Sequence, residues 1–291
     1  MRSVQRPIAA ALLDQIAAIT RRWPASRVHR LHIPKRPAQI PGEHNAEFCA
    51  IELEDGSFGL SYVLLGDTLD RLLERHGSQR SNALAGADPM ALSAHLADGD
   101  EVERAVALAA INALTDSVWR RVGYRPPPAG NSLGDVVLGP QDHLGMIGFF
   151  PPLVSRVDEA GGRLTVVEMN AEMVARQQAR FPKVNITLDR HALAACNTVV
   201  GTSTMLLNDS LDNMLAAAPS AQRFAVIGPS AGLWPDALFE RGVTLLGGTQ
   251  VVDGAAFAEA MATGESWSAA SRKFAITREG WPGWKALAQI G

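Results

Sequence analysis

"MIGFFPPLV", residues 146–154, is the stretch on which the reading of the fold turns. An apolar run, Leu144 to Ile147, reaches Gly148 and is followed by two phenylalanines and two prolines. A short apolar run that ends in glycine reads as a buried strand entering a turn, with a helix expected near 153–160. Outward from this point the same grammar recurs. "RLTVVEMN" leads to a helix near 171–181, and "VNITL" is a short third strand. "CNTVVGTSTMLLNDSLDNML" reads as strand, glycine, helix, and "RFAVIGPSAGLWPDALFERG" repeats that order. "VTLLGG" reads as the last strand, with a helix near 255–262. Strands and helices alternating through short turns predict a doubly wound, mostly parallel sheet. Such sheets bind ligands beyond the carboxyl ends of their strands, at the switch point.

The part before this region is organised differently. In "RSVQRPIAAALLDQIAAITRRW" the apolar residues Ile8, Leu12, Leu13, Ile16 and Ile19 recur at helical spacing, and Asp14 interrupts the run. That pattern is an amphipathic helix of the folded protein and not a targeting peptide. "FCAIELEDGSFGLSYVLL" is a hairpin around Glu54-Asp55-Gly56-Ser57. "DEVERAVALAAINALTDSVWRRVG" is a long helix with Val102, Val106, Ala109, Ala113 and Val118 on or near one face. Asp100 is its N-cap and Glu103 completes a capping box. Residues 124–135, with three prolines and two glycines, read as a linker. The expected division is a small α+β domain over 1–125 and a Rossmann-like domain over 126–291. The second ends in a tail from Ser266 that carries Trp267, Trp281 and Trp284 and is expected to pack as a cap.

A net charge of −3 with 20% charged residues, and no basic helix face, argue against nucleic acid as a partner. No stretch is long enough for membrane insertion. Cys49 and Cys196 lie far apart and form no CxxC, which fits a reducing cytoplasm. Homo-oligomerisation stays open.

At the opening turn a dinucleotide fingerprint would read GxGxxG, and only Gly148 is present. Pro151 and Pro152 remove two backbone N–H donors that a pyrophosphate needs, so NAD, FAD and ATP are not expected. Phe149 and Phe150 either pack between the domains or form a ligand wall. Glu168 follows Gly148 by twenty positions, where a Rossmann-type site places an acid for ribose hydroxyls. The alternative is a helix cap or a solvated acid. Neighbouring Asn170 suits a helix cap. Thr202, Ser203 and Thr204 in "GTSTML", and Gly228, Pro229 and Ser230 in "GPSAGL", offer hydroxyls and N–H groups that suit a carboxylate or other anion. Each turn could equally do no more than cap a helix. His29, His32 and His44 lie in a proline-rich segment read as irregular chain, without the tight second spacing of a closed metal site. No GxSxG, HExxH or CxxC appears, and no residue has a motif-level claim to be a nucleophile or general base.

"GMIGFFPPLV", "VVEMN", "GTSTMLLNDSLDNML" and "VIGPSAGLWPDALFERGVTLLGG" together resemble the heavy-metal-chelation family, long catalogued as a domain of unknown function. "ERAVALAAINAL" resembles the helix of that family's first domain, with Asn112 in the matching position. The resemblance implies a first domain similar to the N-terminal domain of enolases, a Rossmann-like second domain, and a site in the cleft between them. Carried onto this chain, the cleft would be built from Asn112, Gly148, Phe149, Glu168, Thr202–Thr204 and Gly228–Ser230. The expected ligand is a small polar metabolite, a metal ion or a metal chelate, in a heavy-metal chelation or homeostasis role. The alternatives are a transferase using S-adenosylmethionine, whose ribose Glu168 would meet, and a non-catalytic accessory of metal transport. The long Trp-containing tail departs from the family pattern.

Overall fold

The computed structural model describes residues 6–35, 47–77, 84–130, 141–159 and 161–289. Helix α1 (Ile8–Arg22) buries Ile8, Leu12, Ile16 and Ile19, as its spacing requires. Strands β1 (Val28–His32), β2 (Phe48–Leu53) and β3 (Phe58–Tyr62) form an antiparallel sheet in the order β1-β2-β3, and the β2–β3 hairpin turns at the expected residues. Helices α2 (Thr68–His76), α3 (Pro89–Asp98) and α4 (Glu101–Arg121) follow. The capping box of α4 is present, with Asp100 accepting from Val102 and Glu103 and the Glu103 side chain bonding back. One apolar face was expected on α4, but nearly every residue from Val102 to Trp119 is buried. The helix packs against β2, β3 and α3, and its far side is closed by the second unit.

That unit contains β4 (His143–Ile147), α5 (Pro151–Glu159), β5 (Arg163–Val167), α6 (Ala171–Arg180), β6 (Asn185–Thr187) and β7 (Thr198–Thr202). It continues with α7 (Leu211–Ala217), β8 (Arg223–Ile227), α8 (Asp236–Phe239), β9 (Leu245–Val251), α9 (Gly254–Thr263), β10 (Ser271–Thr277) and α10 (Trp284–Leu287). Its seven strands run in the order β10-β9-β8-β7-β4-β5-β6. All neighbours are parallel except the β9–β10 pair. The chain winds from β4 to one side, then returns to β7 and winds to the other. The expected doubly wound sheet is present, with its switch point between β4 and β7.

Three local expectations are corrected. β9 is not the last strand: the tail adds β10 at the edge, and residues 127–129 of the linker run along β10, with Ala275 N–H donating to Pro127 and Ala129 N–H to Lys273. The rest of the tail does cap, since Trp281 stacks edge-on against Tyr124 and Trp234 at 5.0 and 5.4 Å. The helix expected directly after β7 is a four-residue 3-10 turn, Ser203–Leu206. Asn208 Oδ1 accepts from the N–H and the hydroxyl of Ser210, Asp209 takes a left-handed φ of 58°, and α7 starts anew at Leu211. No helix begins at the turn after β8 either; the chain loops to α8 through buried Leu233 and Trp234. Among the described residues no helix is long and apolar enough to cross a membrane.

Candidate functional site

Gly148 leaves β4 at φ +79°, a left-handed geometry that favours glycine. A Cβ there would meet the Thr202 methyl at 3.3 Å, so the turns after β4 and β7 touch at the switch point. Most N–H groups of the β4 turn are engaged or missing. Gly148 donates to Val167 O, Phe150 to Met146 Sδ at 3.3 Å, and Leu153 to Phe150 O. Pro151 and Pro152 have none. The backbone N–H groups of Phe149 and Met169 approach the Glu168 carboxylate. Burial pushes the Glu168 carboxyl above the usual range, and those two N–H groups oppose the shift. The Phe149 ring lies 5.5 Å from Phe181, and both Phe149 and Phe150 pack on the core around β4, β5 and β6. That cluster belongs to the second unit alone, so the expectation of packing between the two units is not met there. Asn170 caps α6, accepting from Glu172 and Met173.

The two hydroxyl-bearing turns nest. Thr202 Oγ1 accepts from the N–H and the hydroxyl of Thr204, each at 3.3 Å, and Ser203 is buried. A Cβ on Gly228, which has φ +134°, would come within 2.5 Å of Ser203 Oγ. Pro229 follows, and Gly228 and Pro229 line a hollow of about 180 Å³ with Trp267 and Lys273. Ser230 is buried, and its hydroxyl accepts from Tyr62 N–H at 2.9 Å. Asn112 Nδ2 donates to Leu60 O at 2.7 Å and to Ser230 O at 2.9 Å. Asp116, one turn further along α4, accepts from Phe58 N–H at 3.1 Å and Gln250 Nε2 at 2.7 Å. The ten expected residues therefore divide. Gly148, Phe149, Glu168 and Thr202–Thr204 gather at the switch point, Gly228 and Pro229 line the smaller hollow, and Asn112 and Ser230 stitch the two units together.

Beside the switch point a cleft of about 470 Å³ opens between the units. Tyr62, Thr68, Asp100 and Arg104 line it from the first unit, and Met169 and Asn208 from the second. Asp100 is held by Arg75 and by the α4 N–H groups, which bring its carboxyl down to about 2; Arg71 adds a bond at 2.9 Å. Glu101 is paired with Arg71 at 2.6 Å. Arg104 is different. Its side chain is 16% exposed, and Asp209 lies 4.0 Å from Nη2. Nε and Nη2 are buried with no hydrogen-bond partner among the described residues. Buried guanidinium donors are nearly always satisfied, which sets Arg104 apart from the other arginines of the cleft. Sequence reasoning passed over Arg104. The signal available was a cation in the first turn of a capped helix, directly before the apolar run 105–111.

The described residues contain no group of three His, Cys, Asp or Glu side chains placed to hold a metal ion. His29 and His32 lie on strand β1 and not on irregular chain; His29 is exposed while His32 is buried against Glu52 Oε2 at 2.7 Å. His44 lies outside the described residues. Burial pushes the Cys49 thiol up to about 12 and the Cys196 thiol to about 11, so neither offers a thiolate. The described donors around the cleft do not fit a bare heavy-metal ion.

Fold and cleft define a class: a small α+β unit set against the switch-point edge of a doubly wound sheet. The chain belongs to the DUF364 family, described as "Putative heavy-metal chelation", whose model matches residues 133–279. A second model with the same description, DUF4213, matches residues 46–115. Among solved structures, the chain is similar to a DUF364 protein of unknown function from Desulfitobacterium hafniense. Identity is 21%, the TM-score is 0.67, and 92% of this chain and 99% of that one are covered. It is also similar to a DUF364 protein of unknown function from Pyrococcus horikoshii, at 17% identity and TM-score 0.62, over 93% of this chain and 99% of that one. At these identities the likeness shows the fold. A search of curated proteins finds no significant match.

Proposed function

We propose that this chain binds a small polar metabolite or a metal chelate in the cleft between its two units. The observation that carries the reading is Arg104, a mostly buried guanidinium whose Nε and Nη2 lack partners. An anionic group of the ligand would take those donors. The Thr202–Thr204 turn, Glu168 and Phe149 would form the adjoining wall at the switch point. Gly148 would give the ligand close approach, and the Gly228–Ser230 turn and Asn112 would hold the wall in position. The family description supports a ligand that carries a metal. The high thiol pKa values of Cys49 and Cys196 support a metal that arrives already wrapped in its own ligand. The lack of a glycine-rich turn at Gly148-Phe149-Phe150-Pro151-Pro152 weighs against a methyl donor that carries a ribose. The division at 125/126 is part of the same proposal, supported by the gap between the two matched segments.

Calorimetry of chelator-washed protein with zinc chloride, citrate and zinc citrate tests this, alongside native mass spectrometry of gently purified protein. Zinc citrate or citrate should bind, and bare zinc should find no tight stoichiometric site. Tight uptake of one zinc that is abolished by substituting Cys49 or Cys196 would overturn the reading.

A further inference from the structure

We propose a second ligand site, at the other end of α4 from Arg104, for a small phosphorylated anion. A cavity of about 470 Å³ opens there, lined by Arg120 at the end of α4, Arg125 just beyond it, Arg272 on β10, and the Tyr124 and Gln250 side chains. Sixteen residues of helix separate Arg104 from Arg120, about 24 Å at 1.5 Å per residue, so the two sites are distinct. The chain as a whole is slightly acidic, with 27 Lys and Arg against 30 Asp and Glu. Three guanidinium groups on one concavity stand out against that background.

Two of the three are pre-positioned. Arg272 is the cross-strand partner of Gln250 and donates to its Oε1 through Nε at 3.1 Å and Nη2 at 2.8 Å. Gln250 in turn donates to Asp116, and Asp116 holds Arg120 Nε at 2.9 Å. The chain Arg120–Asp116–Gln250–Arg272 fixes both forks and leaves further N–H groups on each. Arg125 has no partner among the described residues. The nearby carboxylates are occupied: Asp116 is buried in that chain, and Asp55 accepts from Ser57 N–H at 3.0 Å and Ser117 Oγ at 2.5 Å. Among the described residues Asp116 offsets one of the three guanidinium charges, so net positive charge faces the cavity. A planar carboxylate engages one fork, whereas a tetrahedral phosphoryl group has oxygens for guanidinium groups approaching from several sides. A concave cavity of this size suits a small molecule.

Titration calorimetry with sodium pyrophosphate tests the site, with citrate and a short DNA oligonucleotide as comparisons. Pyrophosphate should bind one per chain, more weakly as salt rises. Arg125→Ala should lose about tenfold or more in affinity, as should Arg272→Ala, by the loss of charged hydrogen bonds. Arg125 is exposed and has no bond partner among the described residues, so its variant should leave the fold intact. Arg104→Met, at the first cleft, should leave pyrophosphate binding unchanged, which separates this proposal from the one above. The inference is overturned if pyrophosphate gives no heat, if Arg125→Ala binds as tightly as the parent chain, or if Arg104→Met alone weakens binding. Tighter binding of citrate than of pyrophosphate by the Arg104→Met variant, whose first cleft is disabled, or tighter binding of the oligonucleotide, would overturn it too.

Discussion

Replacing Arg104 by methionine separates a ligand-binding arginine from a structural one, because the two roles give opposite signs in the free protein. Methionine keeps most of the apolar stem and removes the charge. In the free chain the lost guanidinium group has two buried nitrogens without partners and a carboxylate only as near as 4.0 Å. An unsatisfied buried donor costs about 1–3 kcal/mol, and a loose ion pair with a half-exposed Asp209 returns less than about 1 kcal/mol. Arg104→Met should therefore leave the unliganded protein as stable or up to about 2 kcal/mol more stable. At about 2–4 °C per kcal/mol for a domain of some 150–250 residues, the Tm should hold or rise by several degrees. In the liganded state the sign reverses. Losing a charged hydrogen-bond donor costs about 1.5–3 kcal/mol, or roughly ten- to a hundredfold in affinity. Differential scanning calorimetry without ligand, paired with titration of zinc citrate, reads both quantities. A Tm that falls by several degrees with affinity unchanged would show that Arg104 is a structural residue and would refute the reasoning.

NAD should show no micromolar binding by calorimetry, because Pro151 and Pro152 lack an N–H and those of Gly148, Phe150 and Leu153 are engaged within the chain. Burial lowers the His32 pKa below its ordinary 6.5, against the opposing pull of Glu52. The unfolded chain thus takes up a proton first, so stability should fall as pH drops through and below about 6.5. Urea unfolding at pH 7.5 and 5.5 should show the loss, and His32→Gln should reduce it; an unchanged slope would count against burial as the cause. Iodoacetamide at pH 8 should leave Cys49 and Cys196 unlabelled in the folded protein and modify both in urea, as read by mass spectrometry. Rapid labelling of either in the folded state would mean the site opens.

The elements set by local pattern were legible in the sequence. The capping box at Asp100, the hairpin around Gly56 and the strand ending at Gly148 all rest on neighbours within a few residues, and all are present. What the sequence hid depends on contacts from afar. β10 has no strong alternation, and it becomes a strand because β9 offers an unpaired edge to residues 271–277. The turn after β7 looked like a helix start because Thr202 and Ser203 are good caps. Asn208 and Ser210 instead bond to each other and end the segment after one 3-10 turn. Asn112 looked like a ligand contact on the strength of its position in a family-like helix. Its amide NH2 is taken up by the Leu60 and Ser230 carbonyls from two different units, which no spacing rule could reveal. Arg104 escaped notice for the converse reason: its significance is a missing partner, and that is visible only once the neighbours are in place.

Helix α4 joins these observations. Its buried polar residues at 112 and 116 bond to β3 on one side and to the loop after β8 or to β9 on the other. Its first turn supplies Arg104 to the cleft, and its last supplies Arg120 to the second cavity. A helix this thoroughly buried cannot tilt without breaking several of those bonds at once. Their donors and acceptors would then lack partners away from water, at about 1–3 kcal/mol each. The position of Arg104 relative to Met169 and Asn208 is thus set by hydrogen bonds made further along the same helix, inside the seam. Asn112 and Ser230 would shape the cleft without touching what binds in it. Substitutions there should alter affinity and unfolding together, whereas Arg104→Met should separate the two.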